Sequence, residues 1–236
     1  LNQFLGNFSQ SYNPQIVKSY AAGDRTYFMN LLYSTGKISY YLLFGVAFPF
    51  MLNADYILGL WLAEVPPMTS SFLTLIICHS LFDSFSQPLW ASVHATGNLK
   101  VHQLLMGGIK VMNIPVSYLL LRQGFPVITV LAVYVCLNLV CTSVRIWWLK
   151  HLIRLDSKMY CKEVIWNIVK VTLVSVPLPL ALSFLDIGGL ASLCLTTAAF
   201  FPVYCYVIYK SALNGKEKQI VTEYAGKAKA RVERFF

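Results

Sequence analysis

Six apolar stretches follow one another along this chain, separated by short polar segments. They are Ile38–Leu62, Met68–Ala91, Val101–Leu121, Pro126–Leu149, Val164–Leu185 and Gly188–Tyr209. Each is long enough for a helix to cross the hydrocarbon layer of a bilayer, which takes about 20 residues. A further segment, Leu1–Val17, is predicted to be the end of another helix. The pattern therefore predicts an all-α, polytopic membrane helical bundle with six full transmembrane helices and the end of a seventh.

The segments between the stretches predict how the helices are joined. Three are tight turns of polar residues, proline or glycine, at Glu64–Pro67, Arg122–Phe125 and Asp186–Gly189. Such turns favour antiparallel helical hairpins. Two longer segments, Tyr20–Lys37 and His151–Lys162, hold enough polar residues to form short interfacial helices.

Lysine and arginine are concentrated in every second gap between the stretches. These cations are Lys18, Arg25 and Lys37, then Lys100, then Lys150, Arg154, Lys158 and Lys162, and finally seven in the tail after Tyr209. Short loops rich in lysine and arginine stay in the cytoplasm, so these gaps and the carboxyl terminus are predicted to be cytoplasmic. Lys110, Arg145 and Lys170 lie inside apolar stretches and need a separate explanation.

The composition indicates lipid as the solvent of this chain. Hydrophobic residues make up 57% and charged residues 12%, whereas soluble domains carry about 25% charged residues. The net charge of +9 comes from cations at helix ends, where they face anionic lipid head groups. We therefore expect the lipid bilayer as a partner, and no nucleic acid. In residues 214–236 apolar positions recur at spacings of three and four with basic residues between them, which suits either a basic amphipathic helix on the inner leaflet or a partly disordered tail.

The sequence shows no motif for hydrolytic catalysis. The GxxxxGK[ST] loop, the GxSxG turn and the HExxH pair are absent, so an enzyme is not predicted. The six cysteines lack the paired spacing of a zinc site or a disulfide framework, and no metal is expected. The candidate chemistry lies instead in ionisable residues at membrane depth, because such residues are costly in hydrocarbon.

Lys110 is the main candidate, since at 1.5 Å per residue it lies about 15 Å from the inner boundary, near the midplane. It either attracts an anionic substrate in a cavity or pairs with a carboxylate of another helix. Arg145 and Lys170 lie closer to the inner ends of their helices, where both can extend to the head groups. With Lys110 they form the predicted set of cavity cations.

His79 and Asp83 form a second candidate site, for proton coupling. Their spacing of four residues places them on one helix face, and histidine titrates near physiological pH. A hydrogen-bonded helix contact is the alternative. Pro49 and Pro115 interrupt two apolar stretches and predict either helices that flex beside a cavity or bent helices packed on their neighbours.

Four short motifs resemble the second half of the Wzx-type polysaccharide (O-antigen) flippases of the multidrug, oligosaccharidyl-lipid and polysaccharide exporter superfamily. They are Asn13–Asp24, Ile57–Leu62 with Val65–Pro66, Ala95–Lys100 with Gln103, and Asn113–Tyr118. Together with the absent initiator methionine, the resemblance leads us to expect a carboxyl-terminal part of a longer protein. It implies a bacterial inner membrane protein with an incomplete second lobe at residues 1–150, an extra helix pair at 151–213 and a basic cytoplasmic tail at 214–236.

The resemblance implies export of undecaprenyl-pyrophosphate-linked glycan units from the inner to the outer leaflet by alternating access. No cofactor is implied beyond H⁺ or Na⁺ as the coupling ion, and a glycan polymerase and a chain-length protein are possible partners. On this scheme Lys110, with Arg145 and Lys170, attracts the pyrophosphate, while His79 and Asp83 move the proton. A cation-coupled multidrug exporter of the same superfamily and a membrane glycan polymerase or ligase are the alternatives.

Overall fold

The structure, a computed structural model, describes residues 2–184 and 189–212. These residues form helices and no strand, which confirms the predicted all-helical class. The α-helices are α1 (Asn2–Ala21), α2 (Arg25–Leu52), α3 (Ala54–Trp61), α4 (Thr69–Thr96), α5 (Lys100–Val111), α6 (Asn113–Arg122), α7 (Ile128–Leu152), α8 (Ser157–Tyr160), α9 (Trp166–Ser175), α10 (Pro177–Ser183) and α11 (Gly189–Val207). π-Helical turns at Cys161–Ile165 and Ile208–Ala212 follow α8 and α11. The predicted turn at Asp186 and the predicted tail helix at 214–236 lie outside the described residues.

Five helical spans in the described ranges are long and apolar enough to cross a membrane. They are Arg25–Leu52, Lys100–Arg122, Ile128–Leu152, Ser157–Ser183 and Gly189–Lys210, and they indicate a multi-pass membrane protein. Helix α4 is as long as α2, with 28 residues each, but its serine, histidine, aspartate and glutamine residues make it less apolar. The count of six full crossings and part of a seventh therefore stays a prediction.

Helix α2 begins well before the apolar stretch from which it was predicted. The side chain of Asp24 accepts a hydrogen bond from the backbone N–H of Tyr27 at 3.0 Å, and this cap starts the helix at Arg25. The expected interfacial helix at Tyr20–Lys37 is therefore wrong. Lys37, assigned by the sequence to a polar gap, is fully buried inside α2.

Three of the predicted spans are interrupted, and the third break, between α9 and α10, lies at Val176 just before Pro177. Asn53 separates α2 from α3, where its side-chain Nδ2 and its backbone N–H both donate to the carbonyl of Pro49, at 3.0 and 3.2 Å. Helix α5 ends at Val111, four residues before Pro115. A proline ring clashes with the carbonyl four residues earlier and offers it no N–H, so Pro115 accounts for the second interruption. Pro49 itself lies within α2, and flexing at either proline stays a prediction.

Helix α4 lies at the centre of the bundle and packs against α1, α2 and α7. On one side α5 and α6 pack on α7, and on the other side α9 and α11 pack on α2. Two buried tyrosines make bonds between helices on this second side. Tyr160 of α8 donates to the carbonyl of Phe85 in α4 at 2.8 Å, and Tyr204 of α11 donates to the carbonyl of Tyr41 in α2 at 2.5 Å. The polar cavity described next lies on the opposite side, between α4, α5 and α7.

Candidate functional site

A polar cavity of about 380 Å³ lies between α4, α5 and α7. Its lining residues are Asp83, Gln87 and Trp90 from α4, His102, Gln103, Met106, Gly107 and Lys110 from α5, and Arg145 from α7. The structure thus brings together Lys110, Arg145 and Asp83, three of the residues singled out in the sequence. With two cations and one carboxylate, the charged side chains of the lining are positive on balance.

Arg145 is buried, with 8% of its surface exposed. Its Nε donates to Nε2 of His102 at 3.3 Å, and its Nη1 donates to the carbonyl of Ser86 at 3.3 Å and also to the Ser86 hydroxyl. The expectation that Arg145 extends to the head groups is therefore wrong, because its fork is held between α4 and α5. Asp83 acts on the guanidinium electrostatically, but the hydrogen-bond acceptors of Arg145 are neutral groups.

The neutral acceptors leave part of the guanidinium available to a ligand. Among the described residues Nη2 of Arg145 has no protein acceptor, and Arg145 lines the cavity. A buried charge is costly unless it is paired and hydrogen-bonded. An anion in the cavity would complete the pairing.

Ser86 is itself held in place by α7. The hydroxyl of Thr142 donates to Ser86 Oγ at 3.3 Å and is also bonded to the carbonyl of Asn138 at 3.0 Å. Ser86, Thr142 and Asn138 are all buried. Because buried, mutually bonded polar groups fix side-chain geometry, this chain of contacts positions the Arg145 fork.

Lys110 lies in the middle of the helical span Lys100–Arg122, one residue before the end of α5. Its side chain is exposed and lines the cavity beside Gly107. Gln103, Gly107 and Lys110 recur at spacings of four and three, so one face of α5 supplies them. The expected midspan cation is therefore a cavity residue.

The two members of the predicted proton-coupling pair have different surroundings. Asp83 lines the cavity and accepts a hydrogen bond from Nε2 of Gln87 at 2.7 Å. The His79 ring instead stacks on Tyr134 of α7, with ring centroids 4.5 Å apart and planes at 16°, and it is not a lining residue. His79 lies within electrostatic reach of both Asp83 and Lys110, so His79 is connected to the cavity by charge alone.

Lys170 does not join the cavity. Its Nζ lies 5.3 Å from the centroid of the Trp166 ring, and the side chain is exposed. Helix α9, which carries it, packs on α2 and α11 rather than on α5 or α7. The grouping of Lys170 with Lys110 and Arg145 is not seen in this arrangement.

His102 lines the cavity but was not singled out in the sequence, and Ser86 bonds to Arg145 without lining the cavity itself. His102 is 1% exposed, and its importance depends on the Arg145 contact, which no local pattern encodes. Ser86 follows Asp83 by three residues on α4, a spacing that does place the two on one face. In the described part of the chain, no group of three or more histidine, cysteine, aspartate and glutamate side chains is arranged to hold a metal ion.

All six cysteines are free thiols. None of them lines the cavity, where the lining side chains include charged and hydrogen-bonded groups. No protein-family model, curated protein or solved structure matches this chain.

Proposed function

We propose that this chain is part of a transporter that moves lipid-linked oligosaccharide, with an undecaprenyl-pyrophosphate carrier, from the inner to the outer leaflet. The observation that supports this proposal best is the pairing of Lys110 and Arg145 in one cavity with a single carboxylate, Asp83. A pyrophosphate is the multiply charged anion that such a cavity would attract. The glycan is polar and would follow the head group, while the isoprenoid tail stays in the bilayer.

The two cations have complementary chemistry for a pyrophosphate. A guanidinium binds phosphate oxygens through a planar fork, whereas an ammonium acts as a compact point charge. Arg145 is fixed by Ser86 and His102, so it would bind a phosphate in a defined orientation. Lys110 is exposed to the cavity and can follow the ligand. The excess of cations disfavours a cavity for cationic drugs.

The position of the cavity supports loading from the inner leaflet. Lys110 lies at midspan, and His102 and Arg145 lie nearer to the ends of α5 and α7 at Lys100 and Leu152. These ends carry Lys100, Lys150 and Arg154, the cations that predict a cytoplasmic location. A path from the cytoplasmic side to the midplane is what one inward-open half of an alternating-access cycle requires.

The proposed topology completes this scheme. Helix α4 would be a sixth crossing, shielded from lipid by α1, α2 and α7, and α1 would be the end of a seventh. Residues 1–150 would form part of a lobe and 151–213 an additional helix pair in the bacterial inner membrane. Asp83, with His79 beside it, would carry the coupling proton.

The experiment reconstitutes the protein that carries this chain into proteoliposomes with a fluorescent undecaprenyl-pyrophosphate oligosaccharide. Transbilayer movement is measured as the fraction accessible to a membrane-impermeant quencher. Loss of one charge-assisted contact changes affinity by about tenfold or more. We therefore expect Lys110→Ala to slow movement by about that factor and Lys170→Ala, its matched control outside the cavity, to leave it unchanged.

Two outcomes would contradict the proposal. Movement no faster than in protein-free vesicles would exclude the flippase function. Equal slowing by Lys110→Ala and Lys170→Ala would show that the cavity has no special part in it. Melting temperatures of the purified variants establish that each is folded.

A further inference from the structure

A second pocket lies at the end of the bundle where α1, α2, α7 and α8 meet, away from the Lys110 cavity. It has a volume of about 310 Å³ and is lined by Ser19, Tyr20, Gly23, Arg25, Phe28, Met29, Leu152, Ile153 and Arg154. These residues lie in or beside the connections from α1 to α2 and from α7 to α8. The pocket therefore lies where two membrane-crossing helices reach the head-group level.

Two arginines form the charged side of this pocket. The Nη2 of Arg25 donates to the backbone carbonyl of Arg154 at 2.8 Å, which joins the start of α2 to the α7–α8 connection. Both arginine side chains are exposed. No carboxylate is among the lining residues of this pocket.

The neighbouring carboxylates are occupied by helix capping. Asp24 accepts from the N–H of Tyr27 at 3.0 Å at the start of α2. Asp156 accepts from the N–H groups of Lys158 and Met159, at 3.0 and 3.1 Å, at the start of α8. Capping carboxylates are stabilised by the helix ends they face. Neither carboxylate lines the pocket, so the lining itself presents positive charge to an external anion.

The other side of the pocket is apolar. Phe28 and Ile153 are buried, and Met29 and Leu152 are half-buried. A cationic rim next to an apolar floor matches a ligand with an anionic head and a hydrocarbon chain. Anionic lipids attract lysine and arginine near the membrane surface by about 1 kcal/mol for each cation, and a pocket that also accepts the chain adds burial of apolar surface.

We propose that this pocket binds the phosphate group of an anionic glycerophospholipid of the surrounding leaflet. Arg25 and Arg154 contact the phosphate, and the first part of an acyl chain lies along Phe28, Met29, Leu152 and Ile153. A soluble phosphate compound shares the head-group chemistry but would leave the apolar floor in contact with water. This lipid site is independent of the transport activity proposed above.

Native mass spectrometry of the detergent-purified protein tests this site with three probes. These are phosphatidylglycerol, phosphatidylcholine with the same acyl chains, and glycerol 3-phosphate as the head group alone. We expect retention of phosphatidylglycerol at concentrations at which the other two are lost. The apparent affinity should fall by about tenfold when one arginine is neutralised, since a charge-assisted contact has this magnitude.

The variants are chosen to remove charge without disturbing the backbone. Arg154 has a φ of 52°, a left-handed conformation that asparagine tolerates better than most residues, so Arg154→Asn is the suitable change. Arg25→Gln keeps a side-chain N–H donor for the Arg154 carbonyl. Arg122→Gln, an exposed arginine at the end of α6, is the matched control and should retain the lipid.

Three results would overturn the proposal. They are equal retention of phosphatidylglycerol and phosphatidylcholine, equal loss of lipid in Arg122→Gln and Arg154→Asn, or binding of glycerol 3-phosphate as tight as that of phosphatidylglycerol. The last would assign the pocket to a soluble phosphate compound. If Arg25→Gln has a lowered melting temperature, Arg154→Asn alone decides between these outcomes, because it leaves the Arg154 carbonyl in place.

Discussion

Nε of Arg145 on α7 donates a hydrogen bond to Nε2 of His102 on α5, over 3.3 Å. The accepting nitrogen must carry a lone pair, so His102 is neutral in this arrangement, with its proton on Nδ1. Nδ1 is buried and has no hydrogen-bond partner in the described part of the chain. A second proton on His102 would occupy Nε2, abolish this bond and place an imidazolium against a guanidinium. Protonation of His102 would therefore free the Arg145 side chain from its hydrogen bond to α5.

The groups that face His102 determine the direction of this effect. Arg145 approaches it from α7 and His94 from α4, and both act on it electrostatically. Asp83 of α4 and Lys110 of α5 line the same cavity. The cations outnumber the single carboxylate, so protonation of His102 raises the positive charge of the cavity and releases the Arg145 fork.

Replacing His102 with glutamine should remove a pH dependence of anion binding. The glutamine Oε1 can accept the Arg145 bond but does not titrate. In the unsubstituted protein, binding of inorganic pyrophosphate should tighten as falling pH protonates His102, beyond the change caused by protonation of the ligand itself. His102→Gln should show only the change due to the ligand, as measured by isothermal titration calorimetry. The control is His151→Gln, at an exposed histidine in the last turn of α7, which should keep the pH dependence of pyrophosphate binding. Identical pH profiles for His102→Gln and the unsubstituted protein would rule out a role of His102 in that dependence.

A lysine at position 145 should not replace the arginine. Arg145→Lys keeps the charge, but a single ammonium cannot reproduce the planar fork that reaches His102 and Ser86 together. We expect a loss of pyrophosphate affinity of about tenfold and a lower melting temperature in detergent. A hydrogen bond to a charged group contributes about 1.5–3 kcal/mol to stability. The control is Ser143→Ala, which removes an exposed hydroxyl two residues before Arg145 on α7 and should change neither the affinity nor the melting temperature. Full pyrophosphate affinity in Arg145→Lys would show that the charge alone suffices.

Much of the fold could be predicted from the apolar stretches, because a run of about 20 apolar residues has few alternatives to a membrane helix. The interruptions were harder. Pro115 signals the break between α5 and α6, whereas the break at Asn53 depends on a side chain that bonds to Pro49 and to Thr196 of a distant helix. The early start of α2 depends on the Asp24 cap. The polar composition of the segment around it predicts a connection between helices and gives no sign of this cap.

In the candidate site, the sequence predicted only those residues that can be identified by their position along a membrane helix. Lys110 could be placed at midspan by counting residues, and Asp83 by its position within an apolar stretch. Arg145 was expected to reach the head groups because its distance from the helix end permits that. Its burial depends instead on Ser86 and His102, which come from two other helices. Lys37 illustrates the same limit, since burial follows from which helices pack around a residue and not from its sequence neighbours.

Asn53 joins the α2–α3 junction to α11 and should stabilise the bundle through the hydrogen bonds of both its amide nitrogen and its amide oxygen. Its Nδ2 donates to Thr196 Oγ1 at 3.0 Å, and its Oδ1 accepts from Ser192 Oγ at 3.3 Å. Interhelical hydrogen bonds in membrane proteins contribute about 0.6 kcal/mol on average and up to about 1.7 kcal/mol. Asn53→Ala should therefore lower the free energy of unfolding by about 1–2 kcal/mol, and Thr196→Val by less.

A double-mutant cycle checks this relationship. Unfolding by denaturant in detergent micelles gives the free energies for Asn53→Ala, Thr196→Val and the double variant. The double variant should be less destabilised than the sum of the single variants, because each removes the same hydrogen bond. Strict additivity would show that the Asn53–Thr196 contact contributes nothing to stability.

The close contact between α2 and α4 at Gly36 can be tested by changing only the size of the side chain at this position. A Cβ at this position would lie 3.5 Å from the carbonyl oxygen of Phe85, from the Tyr160 hydroxyl and from Val164, which is an ordinary van der Waals distance. Gly36→Ala should therefore fold normally and gain some stability, because glycine inside a helix costs about 0.5–1 kcal/mol relative to alanine. Gly36→Leu needs space that the Tyr160 hydroxyl and the Phe85 carbonyl occupy, and it should break their hydrogen bond and lower the melting temperature. If Gly36→Leu melts at the same temperature as Gly36→Ala, the close packing of α2, α4 and the π-helical turn at Cys161–Ile165 is not required for stability.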